Sequence, residues 1–409
     1  DMVRRTHLAE AVALSSMGFN IARSVGPAIG GAIVAAAGAG VAFAVNAMSY
    51  VALVSVLAKW RPAVAPRLLP PESLGIAIGA GIRYVLMSPA IRRVMLRSAV
   101  FGIGASSAMA LMPLVAKHLV AGGPLIYGVL LGSFGLGGIM GALSSARLRV
   151  RLSTEALVSA ASVAFALAVA LVGWSSHLLL TLPALFVTGA MWVLALSTFN
   201  VAVQLAAPRW VVARALALYQ MAAFGGMAGG SWLWGVLADA SGITVSLAIA
   251  ALVLLSTAAL GWWLPLVQTA ELNLDPLRTW TAPQTAISVD SRTGPVVVTI
   301  EYRIREEDIL EFLAAMAERR RIRRRDGARD WKLLRDLADP QLWIERYATP
   351  TWLDYLRLNN RLTQNDALIP ERLRSLHCGD SPPVVRRMIV RQTGSAPLHA
   401  PAVHEISPL

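Results

Sequence analysis

The sequence predicts an all-α polytopic membrane bundle followed by a small α+β domain. Three observations predict it: long apolar stretches confined to the front of the chain, a one-sided distribution of Lys and Arg between them, and soluble-type strand and helix periods after residue 295. Over 409 residues the chain is 56% hydrophobic and 15% charged with a mean hydropathy of +0.58, outside the range of soluble domains. Residues 1–264 hold 16 Lys/Arg against 5 Asp/Glu, and residues 265–409 hold 21 against 19. The front therefore reads as membrane and the back as water-soluble.

A hydrocarbon core about 30 Å thick needs roughly 20 apolar helical residues. Eight stretches meet that length, near 11–37, 41–58, 98–116, 124–146, 156–174, 178–207, 215–238 and 243–266. Between the second and third lies a basic connection, 61–97, with Pro62, Pro66, Pro70 and Pro71 followed by an amphipathic segment whose apolar stripe is Leu74, Ile78, Ile82 and Val85. With the front end inside, one side holds Arg4, Arg5, Lys59, Arg61, Arg67, Arg83, Arg92, Arg93, Arg97, Arg147, Arg149, Arg151, Arg209 and Arg214, and the other only Lys117. The positive-inside rule then puts residue 265 onward in the cytoplasm. Cys378, the single cysteine, excludes an internal disulfide and asks for no oxidising compartment.

A shift of 204 residues superposes Ala13, Leu14, Met17, Gly26, Gly31 and Gly38 on Ala217, Leu218, Met221, Gly230, Gly235 and Gly242. Two halves of one fold explain this. Six helices follow the basic connection and two precede it, so four more are expected ahead of residue 1. The domains read from the chain are 1–60, the last two helices of a first half; 61–97, the central cytoplasmic loop; 98–267, a six-helix second half; 268–294, a linker; 295–392, a soluble domain; and 393–409, a flexible tail.

The first stretch reads Asn20-Ile21-Ala22-Arg23-Ser24-Val25-Gly26-Pro27-Ala28-Ile29-Gly30-Gly31. It resembles the fifth-helix motif of major facilitator exporters, although that motif has glycine where Ala13 and Ala22 stand. Ala13-Leu14-Ser15-Ser16, Ile82-Arg83-Tyr84-Val85 before Ser88-Pro89, Arg214-Ala215-Leu216-Ala217-Leu218-Tyr219-Gln220 and Trp234-Gly235 are similar to the bacterial transmembrane secretion effector branch, enterobactin-exporter-like. The resemblance implies the major facilitator fold and a secondary active transporter of the inner or plasma membrane. It implies export of a small molecule (siderophore, drug or secondary metabolite) by alternating access, as a proton-coupled antiporter. Two rival readings are an importer on the same fold and a membrane-anchored enzyme or sensor acting through the soluble domain.

Gly26, Pro27, Gly30 and Gly31 make a bent helix with a flat face suited to sliding, the conformational motif of such exporters. Asn20 and Arg23 lie one turn apart in an apolar helix and need a cavity or a partner, unless Arg23 snorkels to the surface. Asn46, Ser49, Tyr50, Asn200, Gln204, Tyr219 and Gln220 either line the transport path or bond helix to helix. No carboxylate lies mid-helix, with Glu155 and Asp239 both at ends, so the coupling group is not identified.

In the tail, Val296, Val298, Ile300, Tyr302 and Ile304 alternate as a strand, and Ile309, Phe312, Leu313 and Met316 follow at helical spacing. Strands near 331–337 and 342–347, a single helix over 352–376 and a last strand over 384–390 complete a β-α-β-β-α-β order, the split ferredoxin-like pattern. It resembles the dimeric α/β barrel domain of antibiotic-biosynthesis monooxygenases, which implies pairing with a second copy. No acid, base and nucleophile converge, so an enzyme is not expected, and neither is a cofactor. His377 with Cys378 and His399 with His404 lack further metal ligands. The run Arg319, Arg320, Arg321, Arg323, Arg324, Arg325 reads as a solvated face or one meeting anionic lipid or another subunit; beneath a bilayer, nucleic acid is not expected.

Overall fold

The computed structural model describes residues 39–59, 69–70, 72–266, 273–277 and 280–391, with residue 33. Asn20, Arg23 and the Gly26-Pro27-Gly30-Gly31 motif lie outside the described residues, as does the expected flexible tail. The chain forms two compact units: residues 1–67, 90–205 and 216–269 in one, and 68–89, 206–215 and 270–409 in the other.

In the first unit, helix α1 spans Ala39–Lys59, and every described side chain along it is exposed. A second-unit helix, α2 (Leu74–Met87), comes next in the chain. The bundle then continues with α3 (Pro89–Ala110), extended by a π turn to Leu119, α4 (Pro124–Arg151), α5 (Thr154–Trp174), α6 (Leu178–Ala206), α7 (Val212–Ser241) and α8 (Ile243–Trp263). Among the described residues five helices are long and apolar enough to cross a membrane, namely α3 with its extension, α4, α5, α6 and α8. Helix α7 has the length, 30 residues or about 45 Å, but is not among these five. Helix α3 begins at Pro89 rather than near 98, so Arg92, Arg93 and Arg97 are helical and the connection is shorter than expected.

Glycines set the crossings. A Cβ at Gly102 would strike Ala223 O, and one at Gly226 or Gly230 would strike the carbonyls of Ala99 or Ile103, so α3 and α7 touch backbone to backbone. The same holds for α4 and α6, where Gly137, Gly141 and Gly189 face the carbonyls of Phe186, Ala190 and Phe134. Phe101, Phe165, Trp192 and Phe199 fill the space between α3, α5 and α6. Gly242, at φ +89°, reverses the chain between α7 and α8 where an L side chain would be strained.

The second unit contains a four-stranded antiparallel sheet in the order β2-β3-β1-β4: β1 Val296–Arg303, β2 Arg329–Arg335, β3 Leu342–Thr349 and β4 Val384–Ile389. Ile300 stands opposite Glu345 on one side and Val385 on the other. Helices α9 (Ile309–Asp326), α10 (Trp352–Asn360) and α11 (Gln364–Ser375) supply Phe312, Met316, Tyr355, Leu358 and Leu373 to a core with Val298, Ile300, Tyr302, Trp343 and Tyr347.

The expected single helix over 352–376 is two. Thr363 accepts from Asp366 N while the Asp366 carboxylate accepts from Thr363 N, a capping box that starts α11 afresh. Part of the expected linker belongs to this fold, because the free N–H groups of Gln364 and Asn365 at the start of α11 donate to Asp275 O and Asn273 O.

The amphipathic segment is α2, but its inward face is Ala77, Ala80, Gly81, Tyr84 and Val85; Leu74, Ile78 and Ile82 are exposed. Small residues win this face because α2 packs closely on α9, and Gly81 abuts the Arg214 side chain.

Candidate functional site

The strongest polar constellation of the bundle is one that the sequence reading did not assemble. Ser153 caps α5 by accepting from Ala156 N, and Glu155 then occupies the first turn, where the helix dipole favours a negative charge. Arg97, on α3 and fully buried, reaches across to form an ion pair with Glu155. Its guanidinium also donates to Thr257 O at 3.2 Å on α8 and to Leu264 O at 3.5 Å. Glu155 further accepts from Ser159 Oγ and from Leu266 N, both at 2.8 Å. Gly261 lies so close that a Cβ there would collide with the carboxylate. Three helices, α3, α5 and α8, are thus tied at one end by one charge pair. In an acid-poor bundle a lone helix-start carboxylate needs a cation, and that was the available signal; Arg97 was hidden because it was counted with the basic connection.

The sequence-derived path residues are spread over the bundle. Asn46 and Tyr50 are exposed on α1. On α6, Asn200 and Gln204 are one turn apart and Gln204 Nε2 donates to Asn200 Oδ1, leaving Gln204 exposed. Gln220 is exposed on α7, whereas Tyr219 is buried and its hydroxyl donates to Leu196 O at 3.0 Å, a helix-to-helix bond. A small cavity bordered by Met112, Val172, Leu185 and Leu247 is lined by apolar side chains.

In the second unit the arginine run of α9 divides: Arg320, Arg321 and Arg324 are exposed, as a solvated face requires, whereas the other three turn inward. Arg319 and Arg323, one turn apart, point inward to Glu345, a fully buried carboxylate on β3, at 2.7 and 3.7 Å. Trp331 Nε1 donates to the same carboxylate at 3.0 Å, and Arg323 lies over the Tyr347 ring. Burial opposes the charge of Glu345, but the two arginines and its hydrogen bonds outweigh burial and hold its pKa below the ordinary carboxylate range. Burial pushes the Tyr302 and Tyr347 phenols up to about 12. Arg325 pairs with Asp326 and Asp366. His377 is engaged as well, Nδ1 accepting from Arg303 N and Nε2 donating to Ser381 O, both at 2.9 Å. Among the described residues no three His, Cys, Asp or Glu side chains cluster as a metal site.

Long apolar helices that cross at glycines, with polar groups held within the bundle, are those of a multi-pass membrane protein. The sequence profile of the transmembrane secretion effector family, a branch of the major facilitator superfamily, matches residues 1–394, and the chain belongs to that family. Comparison with the curated proteins finds no match.

Proposed function

We propose that the protein is a secondary active transporter that exports a small molecule, such as a siderophore, drug or secondary metabolite, by alternating access coupled to protons. The observation that carries this reading is the pair of glycine crossings, α3·α7 and α4·α6, in a chain of the secretion effector family. Helices in backbone contact slide without rearranging side chains, as a rocking bundle requires. Asn20, Arg23, Asn46, Tyr50, Asn200, Gln204, Tyr219 and Gln220 are the proposed path, and Gly26, Pro27, Gly30 and Gly31 the proposed hinge. The protein resides in the inner or plasma membrane with the soluble domain in the cytoplasm, and it is not an enzyme.

The soluble domain is assigned to the ferredoxin-like, dimeric α/β barrel class. Its outer sheet face carries Leu334, Ile344 and Met388, with Leu334 and Met388 exposed, which supports pairing with a second copy. Monomeric behaviour of the intact protein in ultracentrifugation at micromolar concentration would remove that pairing. The test of transport is efflux from cells making the intact protein, with a panel of siderophores, macrolides and dyes, with and without a proton uncoupler. Uncoupler-sensitive export of at least one compound is expected; accumulation in place of export would favour an importer.

A further inference from the structure

Three segments far apart in sequence, 68–89, 206–215 and 270–409, fold into one unit. If each of α3 to α8 crosses the membrane once, the chain returns to one side at all three. Their contact surface is densely paired. Glu72, just before α2, forms ion pairs with Arg361 and with Arg357 at 3.9 Å on the soluble domain, and with Arg214 at 3.6 Å at the start of α7. Arg357 also donates to Pro70 O at 3.1 Å, and within the soluble domain Arg361 is held by donating to Asp326 O at 2.8 Å. The Arg361 guanidinium lies 4.5 Å over the Trp210 ring, Arg325 lies 5.0 Å over Tyr84, and Tyr84 meets Trp210 edge to face at 5.4 Å. Arg83 donates to Arg325 O at 3.2 Å. Ala80, Tyr84, Asp326 and Asp366 are all less than 5% exposed.

We propose that the soluble domain is a clamp: it grips the connection before α3 and the connection between α6 and α7 and holds them as one body, with Glu72 as the acid that specifies the fit. Three arginines converge on that single carboxylate, so reversing its charge puts four cations together and opens the clamp, whereas exchanging the signs of Glu72 and Arg361 leaves the total charge unchanged. The domain is thereby a working part of the machine, setting the spacing of the helix ends from which α3, α6 and α7 emerge. This consequence rests on the transport reading; the docking itself does not.

The experiment uses the intact protein with Cys378→Ser and a reporter cysteine, Ala80→Cys, probed with a membrane-impermeant maleimide in inside-out vesicles. The reporter is expected to be protected. Adding Glu72→Arg raises its labelling rate about tenfold, the equivalent of ~1.4 kcal/mol of docking, and adding Arg361→Glu restores protection. A second reporter, Ala315→Cys in the core of the domain, stays protected throughout; if it too became reactive with Glu72→Arg, the charge would be holding the fold rather than the docking and the proposal would fall. Unchanged protection of Ala80→Cys in the Glu72→Arg protein overturns it as well. Export should fall with release and return with the exchange. Released reporter with undiminished export refutes the clamp's role in transport, whereas rescued protection with no export by any form leaves the clamp standing and sinks the transporter reading.

Discussion

Removing the carboxylate of Glu155 tests the bundle most directly. Arg97 is 0% exposed, and besides pairing with Glu155 it donates to two carbonyls at 3.2 and 3.5 Å, so Glu155→Ala leaves a buried guanidinium without a counter-charge. Leu266 N–H and Ser159 Oγ lose their acceptor at the same time. Breaking one side of a buried pair costs about 3–5 kcal/mol. The Glu155 side chain is 27% exposed, so water enters the gap and the lower end, about 3 kcal/mol, applies. At about 2–4 °C per kcal/mol for a unit of this size, the apparent melting temperature in detergent should drop by roughly 6–12 °C. The double variant Arg97→Met, Glu155→Ala removes the stranded charge and should recover most of the loss. A drop below about 2 °C for Glu155→Ala, or a double variant worse than the single one, would refute the view that this pair ties the three helices, since about 2 °C is under 1 kcal/mol.

Gly226→Val places a branched side chain against Ala99 O and should separate α7 from α3, costing about 1–3 kcal/mol and abolishing export, read as melting temperature and efflux in one preparation. Glu345→Gln should lower hydrogen-exchange protection of residues 342–349 at neutral pH. Because the pKa of Glu345 is depressed in the fold, its stabilisation is present above the unfolded carboxylate value of about 4.3 and is lost as pH falls through the folded value, so wild type and variant should converge on acidification. Thr363→Ala removes the capping box and should cost about 0.5–2 kcal/mol, seen as faster exchange confined to 364–375 and the 273–277 segment that caps it.

Local signals carried much of this protein. Apolar length marked α3 to α6 and α8, because the need for about 20 apolar residues is met residue by residue along one helix. Alternation marked β1, and Thr363 followed by Asp366 was a readable capping pattern that the longer helical period over 352–376 obscured. The candidate site was less legible. Asn200 and Gln204 share a helix face by spacing alone, yet that Tyr219 turns to Leu196 O is a fact about α6 lying beside α7.

What hydropathy and motif settled was the class: a membrane bundle of the secretion effector family, followed by strand and helix periods that fold into a four-stranded sheet with helices. What tertiary structure decided was the fate of the charges. Arg97 and Glu155 are 58 residues apart and Glu72 and Arg361 are 289 apart, so neither pair has a local signature. Arg319 and Arg323 read as surface until Glu345 appears opposite them. The physical reason is common to all of them. The cost of burying a charge is set by its partner, and only the folded chain brings the partner within reach.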